Sequence, residues 1–204
     1  MGKRGRFGKY GEKKRIERLR QSRLAPSAVT GKRPKPPNGY VTPCKKTTSQ
    51  RMHVTTRKAR ESDASYIGSL SKEVFQEYGP YEKILRYWLD SGKTVTVLAL
   101  MGEGPAGFAM LSRPAPGCSF SGTCELLAIA VETEKQRLGI GDLLLRDVEK
   151  RAVELNAQKI ILHTAVRNLD GQKLFRRHGY ALAEIKKNFY QGGQDAFMMY
   201  KDIS

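Results

Sequence analysis

The chain has 204 residues and a formal net charge of +17, which is enough for one domain with a real core plus an appendage. It has no run of about 18 apolar residues, which argues against a transmembrane span and a membrane role. Its cysteines, Cys44, Cys118 and Cys124, make no CxxC pair and, beside only His53, His163 and His178, no zinc pattern. They also form no disulfide framework, so a reducing compartment, the cytoplasm, is expected.

The charge is unevenly placed. Residues 1–52 hold sixteen Lys/Arg against two acids, and residues 53–204 carry only +3. The first part therefore reads as a basic, largely disordered tail, and the second as a nearly neutral domain. Tyr10 to Arg23 is charge-dense with few apolar positions, and Pro26 to Pro43 holds five of the nine prolines, as a linker would. Such a tail suits ribosome, RNA, DNA or an acidic protein through counterion release, or simply keeps the protein soluble. Lys32-Arg33-Pro34-Lys35 also reads as a short nuclear import signal.

From about residue 53 the pattern is that of a folded domain. Val54 to Ala59 reads as a strand. A helix follows from Ala64 to Gln76, with Ile67, Leu70, Val74 and Phe75 on one side, then a short helix from Tyr78 to Trp88. Thr94 to Met101 and Ala106 to Ser112 read as strands joined by a Gly-Pro turn, and Pro114 to Thr123 as a glycine-rich loop. Cys124 to Val131 is the next strand. Asp142 to Asn156 carries Leu143, Leu144, Val148, Ala152 and Leu155 at helical spacing, and Lys159 to Val166 is apolar enough for a buried parallel strand. Leu169 to Arg177 is a short helix ended by Gly179. Tyr180 to Tyr190 and Ala196 to Ile203 read as an antiparallel pair across Gly192-Gly193. The order β-α-α-β-β-β-α-β-α-β-β predicts an α+β domain with a mixed sheet.

Between the fourth strand and the third helix lies Gln136-Arg137-Leu138-Gly139-Ile140-Gly141. A helix N-terminus leaves backbone N–H groups open and favours an anion, and glycines let backbone approach a phosphate closely. Gln136 and Arg137 add side-chain donors. The hexapeptide reads either as a pyrophosphate cradle or as an ordinary strand-to-helix turn.

That element order, with Gln136-x-x-Gly139-x-Gly141 after the fourth strand, resembles the GNAT N-acetyltransferase superfamily over residues 53–204. Glu125 to Val131 resembles that superfamily's fourth strand. Asn168 with Leu174-Phe175-Arg176-Arg177-His178-Gly179-Tyr180 is similar to its second motif block. Lys187-Asn188-Phe189-Tyr190 followed by Asp195-Ala196-Phe197-Met198-Met199 resembles the protein N-terminal acetyltransferases, including the ribosomal-protein alanine group. The resemblance implies a mostly antiparallel sheet with central splayed parallel strands flanked by helices, and acetyl-CoA as cofactor. It places the pyrophosphate on the amides from Gln136 to Gly141 and the pantetheine arm against the backbone of Ile129, Ala130 and Val131. Asn168 and Phe175 then belong near the thioester end.

Acetylation needs a neutral amine, and an α-amine titrates roughly 2.5 units below a lysine, about 3.4 kcal/mol in its favour near neutral pH. A base assists either acceptor. The resemblance offers two: Glu125, at the place of a glutamate base in histone-type members, and His163, in a Leu-His segment matching some N-terminal acetyltransferases. A Glu–water–His relay would join them; an exposed strand-end carboxylate and a structural histidine are the plain alternatives. Phe175 stands where the superfamily commonly has a thiolate-protonating tyrosine, and Phe cannot donate. Water, Tyr190, Tyr180 or His178 would then serve, or the fold is vestigial and the protein a ribosome- or RNA-associated factor. Phe189 and Tyr190 are expected to cover the first residues of a peptide. A protein N-terminal amine is thus the expected acceptor, with lysine, polyamine or another small amine as the alternative.

Overall fold

The computed structural model describes residues 53–114 and 122–203; the basic tail, Cys44, Cys118 and most of the glycine-rich loop lie outside these. Seven strands form one sheet in the order β1-β2-β3-β4-β5-β7-β6. They are β1 (Val54–Lys58), β2 (Thr94–Met101), β3 (Gly104–Ser112), β4 (Thr123–Val131), β5 (Lys159–Ala165), β6 (Ala181–Lys186) and β7 (Ala196–Asp202). Four α-helices accompany them: α1 (Ala64–Phe75), α2 (Tyr81–Asp90), α3 (Ile140–Glu154) and α4 (Leu169–Arg177). None of the described helices is long and apolar enough to cross a membrane.

All pairings are antiparallel except β4 with β5. The order of elements is the expected one, with shifted ends. Helix α2 starts at Tyr81 rather than Tyr78, because Gln76–Tyr78 forms a separate 3-10 turn that stops at Gly79, φ 126°. Helix α3 starts two residues before Asp142, because Gly139 takes the left-handed conformation, φ 81°, and turns the chain into the helix at once. Strand β6 ends at Lys186, not Tyr190, because Asn188, φ 49°, leaves the extended region.

The sheet is covered on both faces. Leu144, Leu145, Val148 and Ala152 of α3 pack with Val97, Ala109, Leu111, Cys124, Leu126, Ile160 and Leu162. On the other face, Ile67, Leu70 and Leu85 of α1 and α2 pack with Leu98, Phe108, Met110, Ala128 and Ala130. Each fully buried Leu or Ile contributes about 1.5–3 kcal/mol from burial alone. Leu143, expected in the core, is only half-buried, and Leu145 takes the buried place.

One irregularity positions the site. Between β3 and β4 the register passes from Met110↔Ala128 to Leu111↔Leu126, so Leu127 is an extra residue on β4. Before it, Cys124 and Leu126 face α3; after it, Ile129 and Val131 do, while Leu127, Ala128 and Ala130 join the α1/α2 layer. The bulge thus resets which face each side chain takes.

Candidate active site

Strands β4 and β5 pair only from Thr123↔Lys159 to Leu126↔Leu162. Beyond the bulge they part: β5 continues against β7, and the β5-facing edge of β4 from Leu127 to Val131 has no ladder partner among the described residues. The splay expected from the resemblance is therefore present, and it starts at the Leu127 bulge.

Glu125 and His163 stand at the fork. Glu125 is opposite Ile161, and His163 lies two residues further along β5, so both side chains leave the sheet on the α1/α2 side. His163 Nδ1 is 2.9 Å from Glu125 Oε1. The contact is direct, so no water is needed between them. The backbone N–H of Glu125 donates to Ser112 Oγ at 2.8 Å, which holds the strand end where the β3 ladder becomes irregular. Glu125 is the more open partner, with 36% of its side chain exposed against 14% for His163. An ionised Glu125 accepts from Nδ1–H, which fixes the tautomer and leaves Nε2 with its lone pair. Nε2 makes no hydrogen bond to the described residues.

The pair opens onto a cavity of about 170 Å³ lined by Phe75, Tyr78, Tyr81, Trp88, Phe189 and Tyr190 among others. Phe189 stacks on the His163 ring, centroids 4.3 Å apart and planes at 14°. Tyr190 packs against Tyr78 at 4.7 Å and Tyr81 at 6.3 Å. Burial, reinforced by its tyrosine neighbours, holds the Tyr190 phenol well above its ordinary range. Burial raises Tyr81 as well, with the Glu125 charge adding to it, and burial with Glu77 pushes Tyr78 up to about 12. All three stay neutral hydroxyl donors at working pH. Tyr78, Tyr81 and Trp88 escaped the sequence reading; the aromatic density of residues 75–88 was the available signal.

Across the sheet edge, the hexapeptide forms a tight turn into α3. Arg137 has φ 63° and Gly139 φ 81°. The first bond inside the helix runs from Leu143 N–H to the Gly139 carbonyl, 3.1 Å, and no side chain caps the N-terminus. The amides of Ile140, Gly141 and Asp142 are thus open, as at any uncapped helix start. Arg137 pairs with Asp170 at 2.8 Å through one nitrogen of an exposed guanidinium, which leaves further N–H donors, and Gln136 Nε2 donates to the Val131 carbonyl at 3.2 Å. Ile140 is buried and offers only backbone; Leu138 is 54% exposed. Gly141 packs so near Leu174 that an added Cβ would lie 3.3 Å from its Cδ2.

Asn168 caps α4: its Oδ1 accepts from Gly171 N–H at 3.0 Å, and its Nδ2 reaches Thr164 Oγ1 at 3.3 Å. It and Phe175 both line the cavity. Of the alternative proton donors, Tyr190 alone lines it. Tyr180 is buried in the α3 layer, edge-on to Phe175 at 5.9 Å. His178 Nε2 is held by Asp142 at 3.1 Å in a separate groove with Arg146, Glu149 and Lys201. Neither lines the cavity.

Residues 60–180 match the family model described as Acetyltransferase (GNAT) family. The chain belongs to the GNAT acetyltransferase family. It is similar to the N-alpha-acetyltransferase of Sulfurisphaera tokodaii, 27% identical over 70% of this chain and 89% of the relative. The ribosomal-protein-S18-alanine N-acetyltransferase of Escherichia coli shares the fold, with TM-score 0.61, 20% identity, and coverage of 74% of this chain and 95% of that one. So does a Salmonella typhimurium protein solved with its cofactor acetyl-CoA, with TM-score 0.65, 15% identity, and coverage of 74% and 94%.

This GNAT acetyltransferase is an acetyl-CoA-dependent N-acetyltransferase. Its residues fit the cofactor on two counts: a helix start with open amides for the anionic pyrophosphate, and a strand edge from Leu127 to Val131 that has no ladder partner among the described residues, for a peptide-like arm.

Proposed function

We propose that the acceptor is a protein N-terminal α-amine, attacked directly in a ternary complex, with His163 as the general base and Glu125 as its orienting carboxylate. The observation that carries this reading is the 2.9 Å Glu125–His163 contact at the fork of β4 and β5, opening onto a cavity walled by Phe189 and Tyr190. Bound acetyl-CoA supplies the thioester carbonyl. The open amides from Ile140 to Asp142 would hold its pyrophosphate, Asn168 and Phe175 would stand toward the thioester end, and the β4 edge at Ile129–Val131 would align the arm.

His163 takes the proton from the incoming ammonium at Nε2, and Glu125 stabilises the resulting imidazolium through Nδ1–H. Tyr81, as a neutral phenol, offers a hydrogen-bond donor to a peptide's first carbonyl. Phe175 offers no proton; of Tyr180, Tyr190 and His178, Tyr190 is the one that lines the cavity, and its hydroxyl would be the donor toward the cofactor's sulfur. An α-amine needs about 3.4 kcal/mol less deprotonation work than lysine near neutral pH. The name of the Sulfurisphaera tokodaii relative supports the same acceptor class.

A panel of peptides with free and blocked N-termini, each containing lysine, tests the assignment by mass spectrometry. Free peptides are acetylated at the α-amine and blocked ones are not. Acetylation of blocked peptides would move the acceptor to lysine. Residues 1–52, with their sixteen Lys/Arg, are assigned as a basic tail for ribosome or nucleic acid. Deleting them leaves peptide acetylation intact and abolishes a salt-sensitive association.

A further inference from the structure

Phe189 does more than wall the cavity. It keeps 41% of its surface exposed, which is unusual for so large an apolar side chain, and yet it is among the most constrained in the site. One face lies flat on His163 at 4.3 Å and 14°, and Tyr190 meets it edge-on at 5.0 Å and 88°. The backbone beneath it is pinned by a single carboxylate. Asp195 Oδ1 accepts from Asn188 N–H at 3.0 Å and its Oδ2 from Lys187 Nζ at 2.6 Å, while its carbonyl accepts from Val166 N–H at 3.1 Å, three residues beyond His163. Asn188 adopts φ 49°, and the next residue, Phe189, lies on His163 of β5.

A flat stack leaves an imidazole free to slide but not to tip out of its plane, since tipping would drive a ring edge into the neighbouring ring. In that plane one orientation puts Nδ1 against Glu125 Oε1 while the ring lines the cavity. From this geometry we propose that Phe189 is a positioning residue for His163: the Lys187–Asp195 connection holds the ring that keeps the base in its productive tautomer and orientation. The role rests on His163 being the base. It also ties the seating of a peptide, which touches the outer face of Phe189, to the state of the base below.

The test uses the full chain carrying Phe189→Leu, Phe189→Tyr and His163→Gln. The imidazole ¹⁵N shifts of His163 report its tautomer without any turnover. The wild type and Phe189→Tyr show one Nδ1–H tautomer, and Phe189→Leu shows averaged or broadened signals. Phe189→Leu lowers kcat about tenfold with the KM for acetyl-CoA within about twofold, and Phe189→Tyr restores kcat. An unchanged tautomer in Phe189→Leu overturns the positioning role. So does a loss confined to the peptide KM, which would make Phe189 a substrate contact only. Full turnover by His163→Gln would instead sink the base assignment and, with it, the positioning role; an unchanged tautomer in Phe189→Leu overturns the positioning role alone, so the two failures are distinguishable. Thermal unfolding of each variant confirms that it is folded.

Discussion

Glu125 and His163 meet at the last point where β4 and β5 still run side by side: Leu126↔Leu162 is the final rung, and the two side chains close over it at 2.9 Å. The two residues proposed for the proton chemistry thus sit at the vertex of the gap between β4 and β5, and neither could be moved one rung along without losing the other.

Because they form one unit, their losses should not multiply. Glu125→Gln should lower kcat about 10- to 100-fold with acetyl-CoA affinity nearly unchanged, and His163→Gln about 100-fold. The double variant should be little worse than His163→Gln alone. Steady-state kinetics on an N-terminal peptide checks this; a fully active Glu125→Gln variant would leave His163 as a base without an orienting partner.

Gly139→Glu should abolish acetyl-CoA binding, and Gly139→Ala should weaken it only modestly. An added Cβ at Gly139 meets no atom within 4 Å, so the alanine cost comes from its φ of 81°, about 1 kcal/mol. The glutamate adds a like charge at the open amides. Calorimetric titration separates the two, and equal affinities would remove the cradle.

Acetyl-CoA should raise the unfolding temperature of the whole chain. At about 100 times Kd the gain is about 2.7 kcal/mol. No stabilisation at millimolar cofactor would revive the vestigial-fold alternative that Phe175 raised.

Asp195 gives a pH prediction. Lys187 first, then the Asn188 N–H, holds its carboxyl below the usual range. A depressed carboxylate stabilises the folded state above its unfolded pKa, about 3.9, and loses that contribution as pH falls through the lower folded value. The stability difference between wild type and Asp195→Asn, measured by denaturant titration, should be flat above about pH 5 and vanish in stronger acid. A difference that changes between pH 6 and 9 would implicate another group.

Leu144→Ala, at the centre of the α3 layer, should cost about 2–5 kcal/mol by thermal or denaturant unfolding. A loss under 1 kcal/mol would mean the layer collapses onto the gap.

The element order was legible because Thr94–Met101, Lys159–Ala165 and Leu169–Arg177 carry strong apolar runs or helical spacing. Element ends were less so, since they depend on single left-handed residues: Gly79, Gly139 and Asn188 each stopped or started an element where periodicity ran on. Glu125 and His163 were legible as candidates, but not as a contact. Their meeting depends on β4–β5 register, which neither strand encodes alone. The bulge at Leu127 was hidden altogether, since an extra residue in an apolar strand leaves the hydrophobic run unbroken. Tyr81 and Trp88 belong to the cavity only because α2 lies across the fork, and the Arg137–Asp170 pair was hidden because α4 brings Asp170 in from 33 residues away.

The four-rung seam between β4 and β5 has a mechanical consequence. Among the described residues it is the only ladder joining the β1–β4 half of the sheet to the β5–β7–β6 half. Amides on the free edge of β4 should exchange with solvent early, and the two halves should open as separate cooperative units, with the seam as their hinge. A ligand bridging the open edge would then act as a splint, slowing exchange on both sides at once and turning two loosely coupled blocks into one.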